Sequence, residues 1–185
     1  YELKPLLKTK MNLELAPVTE MVKIALDVLP EDVCLVPERR EEKTTEGGLD
    51  LIKKFHGIKE ISDELTNAGV RVSLFIAPEM NQIDKAIEMK VPIIELHTGN
   101  YADFKGELKN KELKKIQQAV VYAKKAGLLV NAGHGLHYEN VQDIAKIDGI
   151  HELNIGHAIV AKALFIGWEN AVIEMKKIIK EYAKS

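Results

Sequence analysis

Hydrophobic and polar positions alternate between two periods along the chain. Short runs rich in apolar and β-branched residues predict strands. These predicted strands are Met11–Ala16, Val33–Pro37, Val70–Ile76, Pro92–His97, Leu128–Ala132 and Glu152–Ile155. Between them, apolar residues recur at helical spacing. The predicted helices are Val18–Leu29, Leu51–Ala68, Pro78–Lys90, Leu108–Ala126, Tyr138–Ile147 and Ile159–Tyr182, the last broken near Gly167. Strict alternation of strand and helix predicts parallel strands with right-handed crossovers.

The pattern leaves two α/β architectures, an open doubly wound sheet and a barrel. No Gly-x-Gly-x-x-Gly string follows a strand, so the dinucleotide-binding fingerprint is absent. The longest stretches without periodicity, 38–48 and 98–106, both follow strands, where a barrel carries its functional loops. With no linker in the sequence, we expect residues 1–185 to form a single domain.

Four strands carry polar residues on one side and apolar residues on the other, since side chains two positions apart share a side. The polar-side pairs are Asn12 and Glu14, Glu95 and His97, Asn131 and Gly133, and Asn154 and Gly156. Ionisable groups inside a barrel are costly unless they are paired or hydrated. Carboxylates and histidines that converge at one mouth suit general acid–base chemistry. The alternative is that they make structural hydrogen bonds near the barrel ends.

Two strings, 131–135 and 154–158, place a histidine beside glycine where a strand ends and a helix begins. Glycine lets the backbone approach a ligand closely, and the amides of a helix N-terminus attract anions. The second string opens the last long helix and is the stronger phosphate candidate; the alternative is that the glycines only permit tight turns. The string 44–48, Thr-Thr-Glu-Gly-Gly, suits a loop that closes on an anionic ligand. The charge run 38–43 before it predicts a solvated loop.

The charge and composition of the chain argue against some classes of binding partner. The formal net charge of −2 gives no bulk attraction to nucleic acid or to an acidic membrane surface. No apolar stretch approaches the ~20 residues of a membrane span. The single cysteine, Cys34, lies in an apolar run, which predicts a buried core residue and fits a reducing compartment.

Eight strings together resemble the pyridoxine 5'-phosphate synthase family. They are NLE (12–14), LVPE (35–38), TTEGGL (44–49), VSLFI (72–76), IELHTG (94–99), YA (101–102), NAGHGL (131–136) and ELNIGHA (152–158). The resemblance implies a (β/α)8 TIM barrel that assembles as a cytoplasmic homo-octamer. It implies condensation of 1-deoxy-D-xylulose 5-phosphate with 3-amino-2-oxopropyl phosphate to give pyridoxine 5'-phosphate, phosphate and water. It implies no metal and no organic cofactor.

The resemblance also implies roles for particular residues. Glu14 matches the acid–base carboxylate of the family, Glu95 a carboxylate that stabilises transition states, and His134 a proton donor. Thr44 matches a contact to the pentulose phosphate. The residues matched to the aminoketone phosphate are Gly135, Gly156 and His157.

The front of the chain departs from the family pattern. The family carries an Asn-x-Asp-His string on its first strand and a His-x-Arg-x-Asp-Arg-Arg-His string on its second, and neither occurs here. These strings supply a further base histidine and phosphate-binding arginines. The six strands of this chain therefore match strands three to eight. Six strands cannot close an eight-stranded barrel, so we expect this sequence to be a fragment of a longer chain.

Two other functions remain open from the sequence. His97, His134 and His157 all fall at strand ends, as zinc ligands do in metal-dependent hydrolase barrels. A non-catalytic phosphate-binding or assembly protein could keep the barrel and lack its chemistry.

Overall fold

The structure is a computed structural model that describes residues 1–38, 44 and 47–183. Six strands form one sheet in sequence order, and every neighbouring pair is parallel, as predicted. The strands are β1 (Asn12–Leu15), β2 (Asp32–Leu35), β3 (Arg71–Ile76), β4 (Ile93–His97), β5 (Leu129–Gly133) and β6 (Ile150–Asn154).

Helices follow the strands throughout the described chain. They are α1 (Thr19–Val28), α2 (Phe55–Asn67), α3 (Met80–Met89), α4 (Gly99–Asp103), α5 (Gly106–Lys125), α6 (Val141–Ala145), α7 (His157–Ile166) and α8 (Trp168–Tyr182). A 3₁₀ turn at Lys4–Leu6 precedes β1. Gly167 separates α7 from α8 with a φ of 82°, so the predicted break lies where the sequence placed it.

Three predicted helices begin two or more residues later than their apolar pattern; one of them, α6, begins at Val141 rather than at Tyr138. The carboxylate of Asp50 accepts the N–H groups of Ile52 and Lys53, which holds a turn there, and α2 begins only at Phe55. Helix α3 begins at Met80 because Glu79 before it is extended. Periodicity marks the buried face of a segment, whereas local hydrogen bonds decide where the helix begins.

The stretch 98–106, predicted to be irregular, contains the short helix α4. Tyr101 anchors this helix because its ring is fully buried and its hydroxyl donates to the backbone oxygen of Asn140 at 2.6 Å. Five residues give too short a window for a helical period, so the tertiary contact rather than the pattern selects the helix.

The sheet curls so that its polar side is concave and its apolar side packs against the helices. Core residues on the strands include Leu35, Leu74, Ile94 and Val130, and they pack in one cluster with helix residues such as Ile116. The result is an α/β architecture in which six parallel strands form a curled half-barrel.

The curl brings the first and last strands together. The side-chain nitrogen of Asn12 on β1 lies 3.4 Å from the Oε1 atom of Glu152 on β6, although the two residues are 140 positions apart in sequence. The concave side is therefore a shared interior in which side chains of several strands meet.

Three other predictions concern burial and loops. Cys34 is fully buried, as its apolar run predicted. Within the described chain, no helix combines the length and apolar character needed to cross a bilayer. The predicted solvated loop lies beyond Glu38 in residues 39–43, outside the described residues, as do residues 45 and 46 of the predicted closing loop.

Candidate active site

A cavity of about 890 Å³ opens at the carboxyl ends of the strands. Residues from all six strands, or from the loops that follow them, line this cavity. Six of the seven site residues proposed from sequence line this cavity: Glu14, Glu95, His134, Gly135, Gly156 and His157. The structure thus brings together groups that span more than 140 positions of the chain.

Thr44 is the seventh predicted residue, and it lies at the edge of the site. It is not among the cavity-lining residues that the structure describes. Its hydroxyl donates to the backbone oxygen of Gly47 at 2.7 Å, and its N–H donates to that of Gly48. Gly47 and Gly48 themselves line the cavity, so Thr44 closes the turn that presents them.

Glu95 is the buried carboxyl of the site, with 3% of its surface exposed. Its Oε2 atom accepts from the side-chain nitrogen of Asn154 at 2.5 Å and lies 3.4 Å from the Cys34 sulfur. Burial, aided by the charges of Glu14 and Glu152, raises the pKa of Glu95 to about 7, while the two donors oppose the rise. Near neutral pH the carboxyl can therefore both give and take a proton.

Gly133 makes room for this carboxyl. A Cβ atom at this position would overlap the Oε1 atom of Glu95 and would lie 3.0 Å from the backbone oxygen of Asn154. The glycine of the first Gly–His string therefore serves the packing of Glu95, a role that the sequence pattern did not indicate.

Two histidines stack beside the carboxyl. The rings of His97 and His134 lie 4.8 Å apart at an angle of 25°, and the ring of Phe75 meets His97 edge-on at 5.2 Å. His134 has a φ of 80°, which is unusual for a residue with a side chain, and Gly135 after it has a φ of 76°. This left-handed pair turns the chain so that His134 is exposed at the cavity.

The second Gly–His string begins helix α7. Gly156 is the N-cap and His157 is the first helical residue. The first amides of a helix lack intrahelical partners and carry the positive end of its dipole. No lysine or arginine is among the described residues that line the cavity, so these amides and the imidazoles are the groups of this lining suited to donate hydrogen bonds to an anion.

The histidines of the hydrolase alternative do not form a metal-ligand set. Among residues 1–38, 44 and 47–183, no group of three or more His, Cys, Asp or Glu side chains is arranged to hold a metal ion. His97 and His134 face each other as stacked rings instead.

Two contacts of the site were missed from the sequence. Cys34 was interpreted only as a core residue, yet its sulfur approaches the Glu95 carboxylate. Asn154 was placed on the polar side of its strand but not assigned to the site. The alternation of side-chain directions along a strand could have assigned both residues to the site. Cys34 lies between apolar Val33 and Leu35, and Asn154 lies between Leu153 and Ile155, so each points to the opposite side of the sheet from its neighbours.

A curled parallel sheet with carboxyls, imidazoles and a helix N-terminus at its strand ends defines an α/β half-barrel protein with a cavity at the carboxyl ends of its strands, where barrel proteins carry their active sites. The chain belongs to the family of the pyridoxal phosphate biosynthesis protein PdxJ, whose model matches residues 1–181. This is the family of pyridoxine 5'-phosphate synthase, an enzyme of vitamin B6 biosynthesis, and the resemblance inferred from sequence is confirmed.

Solved structures share the fold at low sequence identity. KGPDC from Streptococcus mutans matches with a TM-score of 0.62 and 11% identity over 98% of this chain and 76% of that one. An HpcH/Hpal aldolase/citrate lyase family protein from Burkholderia cenocepacia J2315 matches with a TM-score of 0.59 and 11% identity, covering 94% and 76% of the two chains. A xylose isomerase domain protein from Planctomyces limnophilus gives 0.51 and 14%, covering 97% and 74%. Such likeness shows a common fold alone.

Proposed function

We propose that this chain condenses 1-deoxy-D-xylulose 5-phosphate with 3-amino-2-oxopropyl phosphate to form pyridoxine 5'-phosphate, phosphate and water, without a metal or an organic cofactor. The family supports the reaction type. The observation that carries the proposal is the meeting of Glu14, Glu95 and His134 in one cavity, where the pKa of Glu95 is about 7. Formation of a Schiff base, loss of phosphate and ring closure each require protons to move near neutral pH.

In this proposal Glu14 and His134 transfer protons, and Glu95 stabilises charge. Glu14 is exposed to the cavity and acts as the acid–base carboxylate. His134, stacked on His97, donates a proton. Glu95 stabilises positive charge in the transition state when ionised, because a buried carboxylate is poorly screened by water.

The phosphate groups bind at the loops. Gly135, Gly156 and His157 hold the phosphate of the aminoketone, which the free amides at the start of α7 support. Thr44 contacts the phosphate of the pentulose from the turn that it closes with Gly47. Both substrates are small phosphorylated molecules, and the proposal includes no nucleic-acid or membrane partner.

We also propose that β1 to β6 correspond to strands three to eight of a (β/α)8 TIM barrel, with residues 1–185 in one domain. Their curl supports this proposal, as does the coverage of about three quarters of the longer barrel-like structures named above. The family resemblance further supports a cytoplasmic homo-octamer.

The test is turnover of the two substrates by the purified full-length protein. Glu14→Gln and His134→Asn should each lower kcat by about 10²-fold or more, the usual contribution of a positioned acid or base. Glu60→Gln, an exposed change on α2, is the matched control and should leave kcat unchanged. Far-UV circular dichroism checks that each variant is folded.

Two results would contradict the proposal. Full activity in both Glu14→Gln and His134→Asn would remove the roles assigned here. Binding of both substrates without any pyridoxine 5'-phosphate would favour the non-catalytic phosphate-binding protein.

A further inference from the structure

The two oxygens of the Glu95 carboxyl have different surroundings. Oε2 meets two donors that come from strands on either side of β4: the amide of Asn154 from β6 at 2.5 Å and the thiol of Cys34 from β2 at 3.4 Å. Oε1 lies on the side of Gly133, where an added Cβ atom would overlap it. Since Glu95 lines the cavity, Oε1 is the oxygen left for a substrate.

This asymmetry decides which oxygen can carry a proton. A carboxyl oxygen that already accepts two hydrogen bonds can be protonated only if a donor turns away. The amide nitrogen of Asn154 can only donate. The Cys34 thiol also stays protonated, because burial and the nearby Glu95 charge raise its pKa well above the usual range.

We propose that Cys34 and Asn154 are positioning residues that keep Oε2 of Glu95 as a permanent hydrogen-bond acceptor, so that the exchangeable proton is carried on Oε1. This inference rests on the proposed function, and it adds a proton-transfer role for Glu95 to the charge stabilisation that its ionised form supplies. It gives the sulfur of Cys34, which lies between Val33 and Leu35 on β2, a role beyond packing.

Other charged groups face Glu95 from the surrounding strands. Glu14 lies on β1 and Glu152 on β6, and both disfavour the ionised carboxyl. His97 lies two positions further along β4 itself. The register partners on β3 and β5 are Phe75 and Asn131, which do not titrate. Among the described residues, Asn154 and Cys34 favour the ionised form of Glu95 by direct hydrogen bonds, against burial and the charges of Glu14 and Glu152.

The experiment is a titration of Glu95 by carbon NMR in protein with labelled glutamate carboxyls, the signal being assigned with Glu95→Gln. Asn154→Leu should raise the Glu95 pKa by about one unit and Cys34→Ala by about half a unit, since each removes a donor to the ionised form. Cys34→Ser restores a donor and should return the pKa towards that of the natural chain. The limb of the pH–rate profile that Glu95 governs should move by the same amounts.

Val33→Ala is the matched control, because Val33 is buried on the same strand and belongs to the core cluster. It should lower stability without moving the titration or the pH–rate profile. The proposal is overturned if the Glu95 titration is unchanged in both Cys34→Ala and Asn154→Leu, or if it moves while the pH–rate profile does not. The proposed function is tested separately: an unchanged kcat in Glu95→Gln would contradict it. The NMR titration still tests the inference in that case, because it does not depend on turnover.

Discussion

At the scale of single residues, the surroundings of Glu95 give an ordinary side chain unusual acid–base properties. Its carboxyl is removed from water and faces two further carboxylates, Glu14 and Glu152. The hydrogen bonds from Asn154 and Cys34 reduce the unfavourable free energy of ionising this carboxyl but do not remove it. The protein therefore keeps a buried carboxyl, whose ionised form is unfavourable there, in the cavity where the proposed reaction uses it.

The raised pKa of Glu95 predicts a pH-dependent loss of stability. The pKa is about 7 in the folded chain against an ordinary 4.5, so the folded state binds this proton more tightly than the unfolded state. The stabilisation is present at pH values below 4.5 and is lost as pH rises through 7. Relative to Glu95→Gln, which cannot ionise, the natural chain should lose about 3 kcal/mol over this interval. Urea unfolding at a series of pH values measures the difference, and a constant difference would contradict the assignment.

Gly133 gives a second prediction at this scale. Gly133→Ala adds a Cβ atom that overlaps Glu95 Oε1, so the carboxyl must move. We expect a loss of about 1–3 kcal/mol in the free energy of unfolding, as for other overpacked sites, together with a lower kcat. The control is Gly57→Ala in α2, where nothing lies within 4 Å of the new atom and stability should rise by about 0.5–1 kcal/mol. Equal effects of the two changes would rule out a packing role for Gly133.

At the scale of elements, the short helix α4 supports the loop that follows β5. The Thr98 hydroxyl, just before α4, lies 2.7 Å from the backbone oxygen of Gly133 and 2.6 Å from that of His134. Tyr101 binds the backbone oxygen of Asn140. Together these contacts hold His134 in its left-handed conformation, which an isolated histidine would rarely adopt.

Thr98→Val should loosen this loop. Valine has the shape of threonine but no hydroxyl, and the site is fully buried, so we expect a loss of about 1–2 kcal/mol in unfolding free energy. Because His134 and Gly135 line the cavity, the KM for the aminoketone phosphate should also rise. Thr98→Ser keeps the hydroxyl but loses the buried methyl group. Its KM should therefore lie close to that of the natural chain, while its free energy of unfolding should remain lower. Thermal unfolding measures the change in stability, and steady-state kinetics measure KM. An unchanged KM in Thr98→Val would contradict the inference that Thr98 supports the loop after β5.

At the scale of the whole molecule, the curl of the sheet places its first and last strands in one interior. The contact between Asn12 and Glu152 spans the concave side, and Asn131 on β5 also approaches the Glu152 carboxylate at 3.5 Å. The negative charge of Glu152 in turn reaches Glu95. A change on β1 or β6 can therefore affect the site through the interior rather than along the backbone.

A double-mutant cycle tests this closure. Asn12→Ala and Glu152→Ala should be energetically coupled by about 0.5–1 kcal/mol in unfolding free energy, as expected for side chains in contact. Asn12→Ala combined with Asp63→Ala is the control, since Asp63 is on the outer helix α2, where it pairs with Lys59. The control pair should be additive. Additivity of the Asn12 and Glu152 changes as well would show that β1 and β6 do not meet in solution.

Much of the fold followed from local patterns in the sequence. The period of apolar residues identified all six strands, and the alternation of polar residues identified Glu14, Glu95 and Asn154 as facing one side. Such patterns are readable because side-chain direction is fixed by the local backbone, two residues per repeat in a strand and 3.6 in a helix. The start of α2 was missed because hydrogen bonds of the Asp50 side chain decide it, and the five-residue α4 was missed because a contact with the distant Asn140 selects it.

The sequence by itself therefore determined the order of elements, the polar side of the sheet and the family to which its strings belong. Only the tertiary structure decided which polar residues touch. The contacts of Cys34 and Asn154 with one oxygen of Glu95 join positions 61 and 59 residues away from it. Register and curl set these distances, and both arise from packing of the whole sheet. The pKa of Glu95 follows from the same packing, because burial is a property of the surroundings and not of the residue.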